Sequence, residues 1–144
     1  FDVCYIAEDG LEHNVVMIHR VVLGAMERFL ACLVEHCGGA FPVWLSPVQA
    51  TIVPISDRHV DYAREIGSGF RGDGIRVQVD DRSERMNLKI REAQLEKVPY
   101  MLVVGDKEMT SSSVSLRLRT GEDLGLQTVA QVRIRILGDI EAKS

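Results

Sequence analysis

The spacing of apolar residues changes several times along the chain, and each change predicts a new element. Residues 1–6 alternate loosely between apolar and polar side chains, and the alternation resumes over residues 14–18 after a turn signal, which predicts a β-hairpin. Apolar side chains then recur every three or four residues over 20–34, as in a helix. The stripe is wide, so we expect this helix to be buried on most sides and to end at the glycine pair that follows.

Residues 41–47 interrupt this regularity. Two prolines in this stretch exclude a regular helix and a central strand, so we expect an ordered, apolar linker between domains. Beyond it, short apolar runs predict strands, and spacings of three to four residues predict helices. The strands are expected at residues 50–55, 75–79, 100–104 and 114–118, and the helices at about residues 59–66, 83–95 and 126–140.

The order of these later elements, β-α-β-α-β-β-α, predicts an α/β fold with a mixed, mostly parallel sheet flanked by helices. The continuous apolar run at 100–104 is typical of a strand buried on both faces, and an antiparallel hairpin is expected around Gly105. Asp57 is a candidate cap for the first of these helices. We expect the end of that helix to fray, because glycine occupies four positions between 67 and 74.

Composition and charge narrow the class of protein. The chain has 144 residues, of which 46% are hydrophobic and 26% charged, values typical of one soluble globular domain and not of a disordered chain or a disulfide-stapled miniprotein. A net charge of −4 excludes a broadly basic nucleic-acid binder. The first 70 residues contain 4 basic and 9 acidic side chains, whereas the rest contain 13 and 12. Attraction to a polyanion would therefore have to come from clustered basic side chains in the second half.

Cysteine usage and the absence of targeting signals suggest a compartment. Three cysteines are an odd set, which favours a reducing compartment over a secreted disulfide framework. The sequence has neither a basic-then-apolar leader nor an apolar run of about 18 residues, so we expect no signal peptide, no membrane segment, and a location in the cytoplasm or an organellar matrix. The chain begins at Phe1 instead of Met, and we expect it to be part of a longer protein.

The first candidate site lies where the predicted hairpin meets the predicted helix. His19 could ligate a metal, and Arg28 could pack against a nucleotide base or contact its phosphates. For His19, spacing alone favours an ordinary histidine that is hydrogen-bonded at a helix start. For Arg28, spacing alone does not distinguish a nucleotide contact from an ordinary solvated or ion-paired position. Cys32, His36 and Cys37 are close in sequence, but Cys37 is rotated away from the face that the other two share. We therefore expect ordinary helix residues there and not a metal cluster.

The second candidate site is a set of basic side chains in the second half of the chain. They are Arg82, Arg85, Lys89, Arg91, Lys107, Arg117 and Arg119. These residues could be ordinary solvated faces, which is the favoured interpretation for the Arg85–Lys89 pair because such pairs are common on exposed helices. Alternatively, they form a nucleic-acid surface on which arginine planes stack against unpaired RNA bases.

Five stretches of the sequence resemble one family. Residues 16–29, with the sequence VMIHRVVLGAMERF, closely resemble the third class II motif of threonyl-tRNA synthetases, and residues 41–49 resemble the linker that follows it. Residues 80–84, 89–92 and 98–108 resemble the anticodon-binding domain of the same family. The resemblance covers nearly the whole chain, in the same order.

This resemblance implies three segments. Residues 1–37 would be the C-terminal remnant of a class II catalytic domain, residues 38–49 a linker, and residues 50–144 an anticodon-binding domain. The full-length protein would activate threonine with ATP and transfer it to tRNA-Thr, as a homodimer formed through the catalytic domain. The chain alone is expected to be inactive, because the family's first two motifs and two zinc ligands are missing from it.

The resemblance also implies roles for residues of the catalytic remnant. His19 matches one of three protein ligands of a catalytic zinc ion (Zn2+), which binds the amino group and the hydroxyl of threonine. Arg28 matches a catalytic arginine that packs on the adenine of ATP and contacts its phosphates, and Gly24 matches the same ATP-binding segment. Mg2+ would accompany ATP in the full-length enzyme.

In the anticodon-binding domain, the positions that the family uses at the anticodon are matched by Ser83, Arg91, Lys107, Glu108 and Arg117. A carboxylate repels phosphate, so Glu108 is expected to accept a hydrogen bond from a base N–H. Ser83 stands where asparagine is common in the family, so its base contact is expected to be shorter or water-mediated.

Two other functions are compatible with the sequence. The same fold occurs as an anticodon-binding domain in prolyl, glycyl and histidyl synthetases and in an accessory subunit of mitochondrial DNA polymerase, so the chain could be a non-catalytic RNA-binding module. It could also be an α/β domain that contacts another protein. If the chain is a protein-contact domain, charge reversal at Arg91 and Arg117 would leave RNA binding unchanged, whereas it would change RNA binding under the other two functions.

Overall fold

The computed structural model describes residues 2–144, so Phe1 of the predicted first strand lies outside the described residues. The chain divides into two compact units, of which the first ends at Leu33 and the second comprises Val34–Ser144. The first unit contains a two-stranded sheet, and the second contains a five-stranded sheet.

The first unit contains the predicted hairpin, but its second strand lies earlier in the chain than predicted. Strand β1 (Cys4–Ile6) pairs antiparallel with β2 (Glu12–Asn14). A hydrogen bond from the Ala7 N–H to the Leu11 carbonyl, 3.1 Å long, closes the turn and fixes the register. Strand β2 therefore lies directly after the turn, and the prediction of a strand over residues 14–18 is wrong.

Helix α1 (Met26–Cys37) begins and ends later than the predicted helix over 20–34. Gly24 has a φ of +66°, a left-handed conformation that interrupts a right-handed helix, so α1 begins only after it. None of the residues of α1 is buried within the described chain, so the prediction of a helix buried on most sides is wrong. A wide apolar stripe indicates a face that can be buried, but burial also requires a surface that covers it.

The second unit is built on a five-stranded mixed sheet. Its strands are β3 (Ala50–Pro54), β4 (Val77–Val79), β5 (Tyr100–Val104), β6 (Ser113–Leu118) and β7 (Asp123–Thr128), in the spatial order β4-β3-β5-β6-β7. Strand β3 is parallel to both of its neighbours, whereas the β5–β6 and β6–β7 pairs are antiparallel. The predicted α/β fold, with a mixed sheet, flanking helices and a preceding hairpin and helix, is confirmed, but the pairings are two parallel and two antiparallel instead of mostly parallel.

The helices lie on both sides of this sheet. A 3-10 turn (Asp57–His59) leads into α2 (Val60–Gly72), and the later helices are α3 (Met86–Leu95), α4 (Asp106–Thr110) and α5 (Val129–Glu141). Apolar side chains of α2 and α5 pack against one side of the sheet, and those of α3 pack against the other. Within residues 2–144, no helix is both long enough and apolar enough to cross a membrane.

Helix α2 continues through its glycines, and the prediction that its end frays is wrong. A Cβ atom on Gly67 would lie 3.1 Å from Cγ2 of Val79, so this glycine lets the helix approach β4 closely. Phe70 follows about one turn later and is almost completely buried, which anchors the last part of the helix. The prediction that Asp57 caps this helix is also wrong, because His59 is the N-cap of α2 and Asp57 is the first residue of the preceding 3-10 turn.

The prediction of one helix over residues 126–140 is wrong at its beginning. Strand β7 extends to Thr128, whose hydroxyl caps α5 by accepting a hydrogen bond from the Gln131 N–H at 3.2 Å. Residues 126–128 pair with β6, a contact that the spacing of apolar side chains does not reveal. The antiparallel pairing of β5 with β6 is confirmed, but α4 separates the two strands where the sequence predicts a hairpin around Gly105.

Residues 38–49, at the beginning of the second unit, form an ordered segment. Side chains donate hydrogen bonds to several of its carbonyl groups. The donor and acceptor pairs are Lys97 to Gly38, Arg119 to Phe41, Gln49 to Val43, and Arg76 to both Trp44 and Ser46. The Val43 N–H in turn donates to the Ser144 carbonyl at 2.7 Å. Arg119 is therefore committed to this segment and does not belong to a solvated basic face.

Candidate functional site

The parallel strands β3, β4 and β5 end at the same edge of the sheet, here called the carboxyl edge. In sheets of this kind, ligands bind in the crevice outside the carboxyl ends of the strands. Ser83 is exposed in the loop that leads from β4 to α3. Lys107 and Glu108 lie on α4, directly after β5. The fold thus brings three of the five predicted anticodon residues to one edge.

The loop that carries Ser83 is fixed by an ionic network. Asp80, which is 6% exposed, accepts hydrogen bonds from Nε and Nη2 of Arg82 at 2.8 and 2.7 Å. The same Nη2 donates to Glu92 of α3 at 2.6 Å. Hydrogen bonding from Arg82 is the main reason that the pKa of Asp80 lies below its usual value. The network ties the loop to both β4 and α3, which fixes the backbone next to Ser83.

Lys89 is buried, contrary to the solvated position favoured for the Arg85–Lys89 pair. It is 4% exposed, and its Nζ donates to the carbonyl oxygens of Asp80 at 3.0 Å and Pro54 at 3.4 Å. Lys89 thereby joins the ends of β3 and β4 to α3. Together with Arg85 and Ser83, it lines a hollow of about 350 Å³ at the carboxyl edge. Asp57, Asp81 and Glu84 also line the hollow, so a neutral base edge that both donates and accepts hydrogen bonds complements it better than a phosphate does.

A second network, which sequence reasoning missed, links the turn after β3 to α4. His59 is 2% exposed, its Nε2 lies 3.0 Å from Oδ1 of Asp106, and its Nδ1 accepts a hydrogen bond from the Ser56 N–H at 3.3 Å. Because Nδ1 accepts, we assign the proton to Nε2, which donates to Asp106. Arg58 donates to the other carboxylate oxygen. The pKa of Asp106 is lowered, chiefly by its hydrogen bond with His59.

The start of α4 depends on Gly105 and Glu108. Oε2 of Glu108 accepts a hydrogen bond from the Gly105 N–H at 3.0 Å, which closes the first turn of the helix. A Cβ atom at position 105 would lie 2.7 Å from Cδ1 of Ile55 and 3.0 Å from Oε2 of Glu108, so an alanine there would displace the ends of these two side chains. The carboxylate of Glu108 thus has a structural role, and its Oε1 retains the capacity to accept from an external donor. The neighbouring Lys107 is exposed.

Arg117 lies away from the carboxyl edge, on the side of the sheet that faces α3. It stands opposite Met101 in the β5–β6 register, and cross-strand partners project to the same side. Met101 packs in a cluster with Ile90 of α3, which identifies that side. Nη2 of Arg117 lies 2.7 Å from Oδ2 of Asp123 on β7. Its Nε is buried and has no hydrogen-bond partner within residues 2–144.

The α3 side of the sheet is only partly covered. Apolar side chains of α3 pack against Val53 of β3 and Met101 of β5, whereas Leu126 of β7 is exposed. Arg91 lies on α3 and is exposed as well. The five predicted anticodon residues therefore fall on two adjoining surfaces, the carboxyl edge and the α3 side.

The candidate residues of the first unit lie in or next to an irregular segment between β2 and α1. His19 and Gly24 are exposed in this segment, and Arg28 is exposed in the first turn of α1. Within the described part of the chain, no three histidine, cysteine or acidic side chains lie close enough together to hold a metal ion. His19 is one potential ligand, and the residues present do not form a zinc site.

Comparison with known proteins identifies relatives of this chain. The anticodon binding domain family matches residues 49–136. Threonine–tRNA ligase of Dehalococcoides mccartyi is 52% identical over 144 residues, which is 100% of this chain and 25% of that protein. Threonine–tRNA ligase of Maridesulfovibrio salexigens is 53% identical over 131 residues, which is 91% of this chain and 20% of that protein. The chain therefore spans about a quarter or less of the length of these relatives.

A solved structure is similar as well. The crystal structure of the RNA binding domain of threonyl-tRNA synthetase from Cryptosporidium parvum Iowa II matches with a TM-score of 0.75 and 38% sequence identity. The match covers 83% of this chain and 30% of that one. The resemblance to threonyl-tRNA synthetases that the motifs indicate is confirmed by these matches.

Proposed function

Since the chain belongs to the anticodon binding domain family, we propose that it recognises the anticodon of tRNA-Thr as part of a threonine–tRNA ligase. The observation that best supports this function is the arrangement of the five predicted residues on two adjoining surfaces of one sheet. They come from a loop, two helices and a strand, so their placement on these two surfaces depends on the fold.

The chemistry of these surfaces suits unpaired RNA bases. Arginine side chains can stack on a base and donate hydrogen bonds to its edge, and Arg91 and Arg117 provide two such groups. The ion pair with Asp123 orients the guanidinium of Arg117 before any RNA binds. Glu108 accepts from a base N–H through Oε1, while the exposed Lys107 beside it contacts phosphate.

The hollow of about 350 Å³ at the carboxyl edge offers space for one unstacked base. Ser83 contributes a hydroxyl that both donates and accepts, and Lys89 contributes a buried ammonium group. Because Asp80 and Arg82 fix the loop, little ordering is needed when RNA binds.

Binding of two RNA stem-loops to the 144-residue chain tests this function. One stem-loop carries the threonine anticodon, and the other has its central and third anticodon bases exchanged, at the same salt concentration. A preference for the threonine anticodon supports base reading. Equal weak binding to both favours the non-catalytic RNA-binding module, and absence of binding to either favours the protein-contact function.

The substitution Arg91→Ala tests one residue of this surface, and Arg71→Ala is its control. Arg71 is an exposed arginine on α2, which packs against the opposite side of the sheet. We expect Arg91→Ala to weaken binding of the threonine stem-loop by about 1–3 kcal/mol and to reduce the preference between the two stem-loops. An equal loss on both stem-loops would contradict base reading, and an equal loss in Arg71→Ala would indicate non-specific electrostatic attraction.

The roles that the resemblance gives to the first unit concern a longer protein. There, we propose His19 as one of three zinc ligands, and Gly24 and Arg28 as part of the ATP site with Mg2+, in a homodimer formed through the catalytic domain. The chain spans a quarter or less of the length of its relatives and lacks the family's first two motifs, so the isolated chain is expected to be inactive in aminoacylation. In the full-length protein, His19→Ala should lower the zinc content measured by elemental analysis. Unchanged zinc content would reject the assignment.

A further inference from the structure

A groove between α2 and α5 follows from the way the two helices sit on the sheet. Helix α2 packs on β3 and β4, whereas α5 packs on β6 and β7. With strands about 4.8 Å apart, the centres of these two strand pairs lie about 14 Å from each other. Helices that pack directly on one another are about 8–10 Å apart. This spacing leaves a groove between the outer parts of α2 and α5, although the β5 side chains beneath it, Leu102 and Val104, are completely buried.

This groove contains a hollow of about 300 Å³, a size that suits a small organic ligand. Its apolar lining consists of Ile66 and Phe70 from α2 and Val129 from α5. Gly69 also lines the hollow, and a Cβ atom at this position would meet nothing within 4 Å. The missing side chain at Gly69 keeps this part of the groove open.

The charged groups at the hollow are two carboxylates and one guanidinium. Arg133 of α5 donates to Oδ1 of Asp73, while Oδ2 of Asp73 is buried and has no hydrogen-bond partner within residues 2–144. A buried acceptor without a donor is energetically unfavourable. Glu65 adds a second negative charge, and it reinforces burial in raising the pKa of Tyr62 on the same wall. The hollow therefore combines an apolar floor with an excess of negative charge.

We propose that this hollow binds a small organic cation, an ammonium or guanidinium group on a compact apolar body. The apolar body lies against Ile66 and Phe70, and the cation donates to Asp73 next to Glu65. Arg133 is the internal competitor for the carboxylate, and its side chain, 49% exposed, can move into solvent when the ligand enters. The site lies on the side of the sheet opposite α3, so it does not overlap the part of the proposed RNA surface on the α3 side, which contains Arg91 and Arg117.

Titration of the 144-residue chain with 2-phenylethylamine, followed by ¹H–¹⁵N correlation spectra, tests this site. The neutral 2-phenylethanol and the anionic 3-phenylpropanoate are the matched probes. A ligand of about nine non-hydrogen atoms is expected to bind with a Kd on the order of 10 mM. We expect saturable shifts at the amides that surround the groove with the amine alone. Equal shifts with either matched probe, or no saturable shift with the amine, would overturn the proposal.

Substitutions at the hollow are expected to change the affinity for the amine in opposite directions. Asp73→Asn should weaken amine binding about tenfold or more, whereas Asp61→Asn, which changes an exposed carboxylate near the start of α2, should leave it unchanged. Arg133→Gln should strengthen binding, because it removes the internal competitor. Gly69→Leu should abolish binding by filling the hollow, and Gly72→Leu, at an open position of α2 outside the hollow, should not. Weaker binding in Arg133→Gln, or unchanged binding in Gly69→Leu, would overturn the proposal.

Discussion

Asp80→Asn removes one negative charge from the network that fixes the Ser83 loop and nearly preserves the volume of the side chain. Asp80 is 6% exposed and accepts from Arg82 at 2.8 and 2.7 Å. Hydrogen bonds to charged groups contribute about 1.5–3 kcal/mol each, but asparagine keeps one acceptor and the guanidinium is free to return to water. We therefore expect the free energy of unfolding to fall by about 1–2 kcal/mol at pH 7, and Tm to fall by about 3–8 °C.

The size of this loss must depend on pH. The guanidinium lowers the pKa of Asp80 in the folded chain, so the unfolded chain binds the proton more readily. The stabilisation is complete above the ordinary aspartate pKa of 3.8 and is lost as the pH falls through the lowered value. Asp80→Asn cannot be protonated at this position, so the difference between the two chains should shrink as the pH falls below about 4.

Urea unfolding followed by circular dichroism at several pH values between about 3 and 7 measures both effects. Asp81→Asn is the control, because the Asp81 side chain is 49% exposed and pairs with Arg64 at the surface. A difference that stays constant with pH would refute the reasoning. A loss in Asp81→Asn as large as that in Asp80→Asn would refute it as well.

Two further substitutions test the packing of the sheet. Burial, reinforced by a hydrogen bond to Asp139, raises the pKa of Tyr100 to about 12, so stability should be lost as the pH rises from about 10 towards 12. Tyr100→Phe should cost about 1 kcal/mol at pH 7 and remove this alkaline loss from thermal melts, and an unchanged alkaline loss would contradict the assignment. Gly105→Ala should cost at most about 1 kcal/mol, because its Cβ atom would lie 2.7 Å from Cδ1 of Ile55, whose side chain is 47% exposed and can shift. Ile55→Val lacks that atom and should recover most of the loss in the double variant, whereas additive losses would exclude the steric cause.

The local pattern predicts an element well when its surroundings are compatible with one type of secondary structure. The sequence predicts β5 with its observed bounds, because five consecutive apolar residues fit a strand that is covered on both faces. The end of α2 and the start of α5 are not predictable in this way. The first depends on the packing of Gly67 against Val79, and the second on the pairing of residues 126–128 with β6.

The sequence identifies the candidate residues of the site, but it does not reveal which residues they contact in the fold. Lys89 lies next to Ile90 and four residues before Ala93, on the buried side of α3, and this position is the one available signal that it is not solvated. The pairing of His59 with Asp106 joins positions 47 residues apart. It exists because the parallel pairing of β3 with β5 brings the ends of both strands together, and no local pattern reports such a contact.

The anchoring of residues 38–49 has a mechanical consequence. A free segment of about 12 residues is a loose tether, whose ends fluctuate over roughly 20 Å. Here Arg76 alone holds two carbonyl groups, those of Trp44 and Ser46, and its own N–H donates to the side chain of Gln49 at 2.9 Å. Because these hydrogen bonds attach the segment to the five-stranded sheet, we expect a force applied at Gly38 to be transmitted to the sheet and not absorbed by extension of the segment.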